Sequence, residues 1–252
     1  MFVHEKVLSD ISSNQYTIKI AGSESEVEAA LKLRYKVFID ELHRKFHHEE
    51  RKDIDSYDDQ AHHLIVVENE SGEIVGTYRL QTHEMAKKGN GFASSKRFKV
   101  DQFPDSVLDN AVEVGRACIS KEHRHGRVLY LLWKGFADYL TNFNKRYLFG
   151  YTAFSTKNPS VMWNTYNHLK NTDSLCPVYD LEVRDEYKFE KHVNSDASGE
   201  IDIPSLFQNY LDVGCKVCSK PSFDKELQLG HCMILLDIEN IPDRTRKLFF
   251  GS

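Results

Sequence analysis

Apolar and polar positions along this chain follow two periods, and the switches between them separate strands from helices. Tyr16-Thr17-Ile18-Lys19-Ile20 alternates residue by residue, as a half-buried strand does. Ala21-Gly22-Ser23 turns the chain, and Ser25 with Glu28 makes a capping-box pattern that predicts a helix start. At about 100° per residue, Val27, Ala30, Leu31, Leu33, Val37, Phe38 and Leu42 form one broad arc of that helix. Arg34 falls in the middle of the arc.

From His43 to Asp59 the chain is densely polar and reads as a helix end and a long loop. His63 to Glu68 and Glu73 to Leu80 then flank the turn residues Asn69-Glu70-Ser71-Gly72, the clearest hairpin signal present. Lys87 to Asn90 reads as a loop, and Ser94 to Leu108 is weakly patterned. Residues 111–120 predict a strand. Val128 to Leu140 predicts a helix with Leu129, Leu132, Trp133, Phe136 and Leu140 on one side. Tyr147 to Ala153 is a further strand, and Asn158-Pro159 caps and opens a helix through Leu169. A helix over Ser205 to Val213 and a strand over Cys232 to Asp237 end the series.

This order predicts an α/β domain around a mixed sheet. Residues 1–15 form a polar lead-in and 16–181 the core. Residues 182–200, where both charge signs mix, are a polar insertion, and 201–252 complete the same domain. At 252 residues the chain is long enough for a sizeable core. A net charge of −5 argues against nucleic acid as a partner. No apolar run approaches the ~20 residues that span a bilayer, and no secretory signal stands at the start. Five scattered cysteines suit reduced thiols, so a cytoplasmic location is expected.

Charge at core-facing places changes the picture most. Arg34 lies on an apolar helix face, Asp55 and Asp58 in the loop beyond it, and Arg79 near the end of a strand. Glu113 and Arg116 share the next strand, where Gly115 offers a place for a bulge that turns both to one side. Buried ionised groups are costly unless paired or put to use, so these six suggest one polar site. The basic loop Lys121-Glu122-His123-Arg124-His125-Gly126-Arg127 runs into the helix from Val128. A helix start there favours an anion such as a phosphate. Cys215, Cys218, His231 and Cys232 make a poor zinc set, because adjacent strand residues point apart, and no metal is expected.

Arg34, Phe38, Asp55, Asp58, Arg79, Glu113 and Arg116, in that order, resemble the pattern of acyl-homoserine-lactone synthases, acyltransferases of the GNAT superfamily. Leu33-Arg34-Tyr35-Lys36-Val37-Phe38, Ile74 to Leu80, Glu113-Val114-Gly115-Arg116 and Leu132-Trp133-Lys134-Gly135 are more similar to the ornithine-acyl carrier protein N-acyltransferases, often labelled haemolysin-like. Tyr210-Leu211-Asp212-Val213-Gly214 and Lys220-Pro221-Ser222-Phe223-Asp224 extend that second resemblance. It implies a GNAT-like, mostly antiparallel sheet flanked by helices, with a C-terminal extension. The implied activity moves a 3-hydroxyfatty acyl group from acyl carrier protein to an amino acid amine, with ornithine the leading acceptor. A lactone-type signal synthase and a non-catalytic acyl-binding or membrane-active protein are the alternatives.

The chemistry of such a transfer assigns roles. Glu113 is the candidate base, with burial favouring its protonated form, and Arg116 either organises Glu113 or contacts the donor. Arg34 and Arg79 are candidates for the acceptor's carboxylate. Asp55 and Asp58 orient them or hold a second amine, and Phe38 lines the acceptor site. Arg124, Gly126 and Arg127 are the candidates for the phosphopantetheine phosphate. Gly126 is not followed by the second small residue of the usual GNAT phosphate loop, so coenzyme A binding in the common manner is not expected. No tightly bound cofactor is expected. The Lys121–Lys134 segment is the expected dock for the acidic carrier, and an amphiphilic product suits a peripheral membrane association.

Overall fold

The computed structural model describes residues 10–42, 48–189 and 199–251. Residues 1–9, His43, His47 and residues 190–198 of the expected insertion lie outside the described residues. In chain order the elements are β1 (Ile11–Ser12), β2 (Tyr16–Ile20), α1 (Glu24–Tyr35), β3 (His62–Glu68), β4 (Ile74–Thr82) and α2 (His83–Lys88). Next come α3 (Asp105–Leu108), β5 (Ala111–Ile119), α4 (Arg127–Asn142), β6 (Tyr147–Ala153) and α5 (Pro159–Asn171). The chain ends with α6 (Ser205–Asp212), β7 (Lys216–Val217), β8 (Ser222–Asp224), β9 (Leu229–Asp237) and α7 (Asp243–Phe249). They form two compact units, one from 1–91, 112–145 and 248–252, the other from 92–111 and 146–247. Both units are α/β, with antiparallel strand pairs and flanking helices, the fold class expected.

In the first unit β1 to β5 pair in sequence order, each pairing antiparallel. Alternate residues serve its two faces. Ile18, Leu64 and Tyr78 face α4: Gly135 lets α4 approach Ile18 and Leu64, and Tyr78 meets Phe136 edge-on at 4.8 Å. Ile65 faces α1 and packs with Ala21, Val27, Ala30 and Leu31. The cap of α1 lies two residues before the expected one. Ser23 accepts from the Glu26 N–H, and Glu26 accepts from the Gly22 N–H at 2.8 Å, so the helix starts at Glu24. Past Tyr35 the helix widens into a π turn over Lys36–Glu41, closed by Leu42 N–H donating to the Val37 carbonyl. Lys87 and Lys88 end α2 instead of lying in a loop, because Thr82 caps a helix there.

β5 carries the expected bulge. Thr77 faces Cys118 and Arg79 faces Gly115, so Tyr78 alone opposes Arg116 and Ala117. The left-handed residue is Arg116, with φ +55°, not Gly115. A bulge shifts the alternation by one residue, which brings Arg116 to the face that Glu113 and Gly115 share.

In the second unit β6 runs antiparallel to β9 from Tyr147↔Asp237 to Ala153↔His231, and the short β7 and β8 also pair with β9. Within the stretch read as a polar insertion, Val183 is buried and bridges to Phe98, and the Glu182 carbonyl accepts from Lys99 N–H.

Candidate active site

Six charged side chains on the α1 face of the first sheet close into a ring of alternating sign. Arg34, from α1, donates from Nε to Asp53 Oδ2 at 2.8 Å. Its two terminal nitrogens grip Asp58 in parallel, at 2.6 and 3.1 Å. Arg79, from β4, donates to Asp58 Oδ1 at 2.9 Å and to Asp55 Oδ1 at 2.5 Å. Arg116, at the bulge, donates to Asp55 Oδ2 at 2.7 Å and lies 3.6 Å from Asp53 Oδ1. Each aspartate thus bridges two arginines, and three charges of each sign balance. The loop holds the acids itself: Asp58 Oδ2 accepts from Asp55 N–H at 2.8 Å and Asp55 Oδ1 from Tyr57 N–H at 2.9 Å.

Exposure rises across the ring from 0% for the Asp58 side chain and 1% for Arg34 to 29% for Arg116. Burial alone would raise both the Asp55 and the Asp58 carboxyls. For Asp55 the charges of Arg79 and Arg116 outweigh it and hold the group well below the usual carboxylate range. Arg34 and Arg79 do the same for Asp58. His63, opposite Arg79 on β3, points Nε2 at the Asp58 carbonyl at 3.2 Å. Burial lowers its pKa to about 4 despite the Asp58 charge, so it is neutral at pH 7.

Arg34 was expected to bind an acceptor carboxylate. Instead every guanidinium nitrogen is bonded to Asp53 or Asp58 within a sealed environment. A buried guanidinium persists only when its donors are used up, and here the chain uses all three nitrogens. The reachable members are Arg116 and Asp55.

Glu113 is a seventh charged group beyond the balanced ring. It is 5% exposed and pairs in register with Gln81, two residues along the strand from the Gly115–Arg79 pair. Its charge adds to those raising the Arg79 pKa, which places the two groups within electrostatic reach. A Cβ on Gly115 would meet nothing within 4 Å, so this face is open beside Glu113. Phe38, in the π turn, sets its ring 5.9 Å from the Arg116 guanidinium carbon.

The candidate phosphate ligands gather at the start of α4. Gly126 caps that helix with φ +86°. Arg124 donates to the Ile119 carbonyl at 2.9 Å and to Glu41 Oε2 at 2.6 Å, tying the basic loop to the π turn. Arg127 lies over the Tyr16 ring at 6.0 Å. The buried Tyr16 hydroxyl reaches His123 Nδ1 at 2.9 Å and His125 Nε2 at 3.4 Å and anchors the loop from below.

Sequence reasoning missed Asp53 and Gln81, and started the strand at His63, one residue after His62. The spacing Asp53-x-Asp55-x-x-Asp58 was the available signal for the first, since three arginines need three acids. Both histidines open β3 and are buried. Among the described residues no group of three or more His, Cys, Asp or Glu is placed to hold a metal ion. Cys215, Cys218 and Cys232 are buried, and burial pushes their thiols well above the usual range.

Residues 33–134, which contain all seven of these charged groups, match the acetyltransferase (GNAT) domain. The fold and this domain define an acyltransferase. Over 242 residues the chain is 27% identical to the L-ornithine N(alpha)-acyltransferase of Brucella abortus, with 90% of this chain and 86% of that protein covered. It is 25% identical over 247 residues to the L-ornithine N(alpha)-acyltransferase of Rhodobacter capsulatus, covering 93% and 94%. Among solved structures it resembles the AHL synthase LasI with a TM-score of 0.54 at 12% identity, covering 95% of this chain and 97% of that one. The CoA-dependent acyl-homoserine lactone synthase BjaI gives 0.53 at 13% identity, covering 90% and 82%. At those identities the likeness to the solved structures is one of fold.

Proposed function

We propose that this protein is an amino acid N-acyltransferase that moves a 3-hydroxyfatty acyl group from acyl carrier protein to the α-amine of ornithine. The observation that carries the reading is Glu113, a buried carboxylate beside a charge-balanced ring, on a sheet face that is open at Gly115. Glu113 lies within electrostatic reach of the ring at Arg79, and it is the carboxylate assigned to proton transfer. An amino acid amine is mostly protonated at neutral pH, and a base must take a proton before the nitrogen attacks a thioester. With the seven groups ionised, three arginines against four carboxylates leave one negative charge, which favours an acceptor that is a cation overall. Ornithine, with two ammonium groups and one carboxylate, meets that condition.

Arg116 and Asp55, at the ring's reachable edge, take the roles of carboxylate ligand and ammonium ligand, while Arg34, Asp53 and Asp58 hold that edge in place. The thioester oxygen gains charge during attack, and a backbone N–H freed by the Arg116–Ala117 bulge is the candidate donor to it. On the donor side Arg127, Gly126 and the start of α4 receive the phosphopantetheine phosphate, and Arg124 joins them by exchanging Glu41 for it. The acidic carrier docks on the Lys121–Lys134 segment, and the amphiphilic product suits a peripheral position on a membrane. No helix among the described residues is long and apolar enough to cross one.

The deciding experiment offers the purified protein a set of acylated carrier proteins with mixed amino acids and analyses the lipids by mass spectrometry. An N-acyl-ornithine product is expected, with free carrier thiol released in equal amount. A product formed only with S-adenosylmethionine would favour the lactone-synthase reading. No product from any donor, alongside retained acyl-chain binding, would favour a non-catalytic binder.

A further inference from the structure

Gln81 and Glu113 stand opposite each other across β4 and β5, so both side chains project from the face that carries the charged ring. Directly opposed residues of an antiparallel pair have Cβ atoms about 4.5–5.5 Å apart, within reach of two long side chains. Gln81 is 1% exposed. Its Nε2 donates to the Gly91 carbonyl at 2.7 Å, which fixes the amide, because a flip would set Oε1 against another acceptor. Oε1 is thereby left buried without a donor. Such an atom is destabilising and calls for a reason. The group opposite supplies one: a carboxylate has no hydrogen to give, but the acid it becomes on protonation has one.

We infer that Gln81 is a positioning residue for acyl transfer, its Oε1 accepting the hydrogen bond of the carboxylic acid that Glu113 becomes when it deprotonates the acceptor. The inference rests on the reading of Glu113 as the base. In the reaction the acceptor's ammonium gives one proton to Glu113. The free amine forms a C–N bond at the thioester carbonyl carbon and the C–S bond breaks. The sulfur leaves as the carrier's thiol with the second proton shed by the nitrogen, and the Glu113 proton returns to solvent.

Gln81 is needed because of the groups around it. Arg79 on β4 and Arg116 on β5 favour the ionised form of Glu113, which would then hold a proton poorly. Asp53, Asp55 and Asp58 offset those charges only as far as the ring is balanced, and Arg34 is spent within it. His63 on β3 is neutral and buried. A fixed acceptor opposite Glu113 favours the protonated form alone and restores the affinity that a base requires.

The test is a carboxyl-carbon NMR titration of the glutamate-labelled protein as wild type, Gln81→Met, Gln81→Leu and Glu113→Gln, together with kcat and KM for the acceptor. The signal absent from Glu113→Gln identifies Glu113. Its midpoint is expected to fall by about one pH unit in Gln81→Met, the worth of one hydrogen bond. The acid limb of kcat should move the same way, with kcat reduced several-fold and KM unchanged. Gln81→Leu repeats the measurement should the methionine variant misfold. A midpoint and kcat equal to wild type in a folded Gln81 variant, beside an inactive Glu113→Gln, overturns this inference and leaves the proposed reaction standing. A fully active Glu113→Gln removes the base, and the inference with it.

Discussion

The two faces of the first sheet are built from alternate residues of the same strands and solve opposite problems. Toward α4, Tyr78, Leu64 and Ile18 bury apolar surface, and glycine at 76 and 135 lets helix and sheet close up. Toward α1, Arg79 sits between Tyr78 and Leu80, and His63 beside His62, and each enters a charged environment. The first face is stabilised by area removed from water. The second repays desolvation only while every charge keeps its partner, so its stability is conditional. What it secures is position: a rigid, charge-balanced ring next to one carboxylate.

Removing one charge tests that conditionality most severely. Arg34→Ala leaves Asp53 and Asp58 short of their buried partner and should cost about 3–5 kcal/mol in urea unfolding. Arg116→Ala, at the reachable edge, should cost no more than about 1 kcal/mol yet raise KM for the acceptor. Equal stability losses would show that the ring has no sealed and open ends. Glu113→Gln comes next. A drop in turnover of about 10²–10⁴-fold with an unchanged urea midpoint is expected, because Glu113 lies outside the ring's own balance.

How much of this was legible in the sequence follows the same division. The hairpin, β6 and α4 were readable because one apolar period runs through each, and Tyr147 to Ala153 matches β6 residue for residue. Arg34 stood out because a charge on an apolar arc breaks the period. Its partners were harder. Asp53, in a loop with many charges, has no period to break, and the ring becomes visible only when the loop folds over α1 and β4. Gln81 continues an ordinary polar position at a strand end. The bulge was expected at Gly115, and it falls one residue on, where Arg116 takes the left-handed backbone and is tied to Asp55. β7, β8 and α7 were missed for being two, three and seven residues long, too short to show a period.

His62 and His63 compare the faces under acid. Burial lowers both pKa values from 6.5 to about 4. In the folded state both therefore bind protons more weakly than in the unfolded chain. Their contribution is fully present above about pH 6.5 and is lost as pH falls through about 4. Asp55 and Asp58 are depressed below the usual carboxylate range and add their own loss only at still lower pH. Urea unfolding at a series of pH values should show stability falling from neutrality to pH 4, by an amount on the order of 3 kcal/mol per histidine at most. His62 bonds Tyr139 on the α4 side at 2.8 Å, away from the ring. His62→Asn should flatten about half of that slope and leave turnover at pH 7 unchanged. An unaltered slope would place the acid sensitivity elsewhere.

The smallest and most local comparison sets two glycines against each other. A Cβ on Gly76, facing α4, would come within 2.7 Å of Val128 Cγ1, and a β-branched side chain in a helix has little freedom to yield. Gly76→Ala should therefore cost about 1–3 kcal/mol and leave turnover intact below the melting range. A Cβ on Gly115, facing the ring, would meet nothing within 4 Å, and its backbone is not left-handed. Gly115→Ala should thus stay within about 0.5 kcal/mol of wild type. Its added methyl stands beside Glu113 and opposite Arg79, in the space assigned to the reacting groups, so it should lower turnover. A Gly115→Ala protein that is destabilised but fully active would mean this face is packed, with no room beside Glu113 for a substrate.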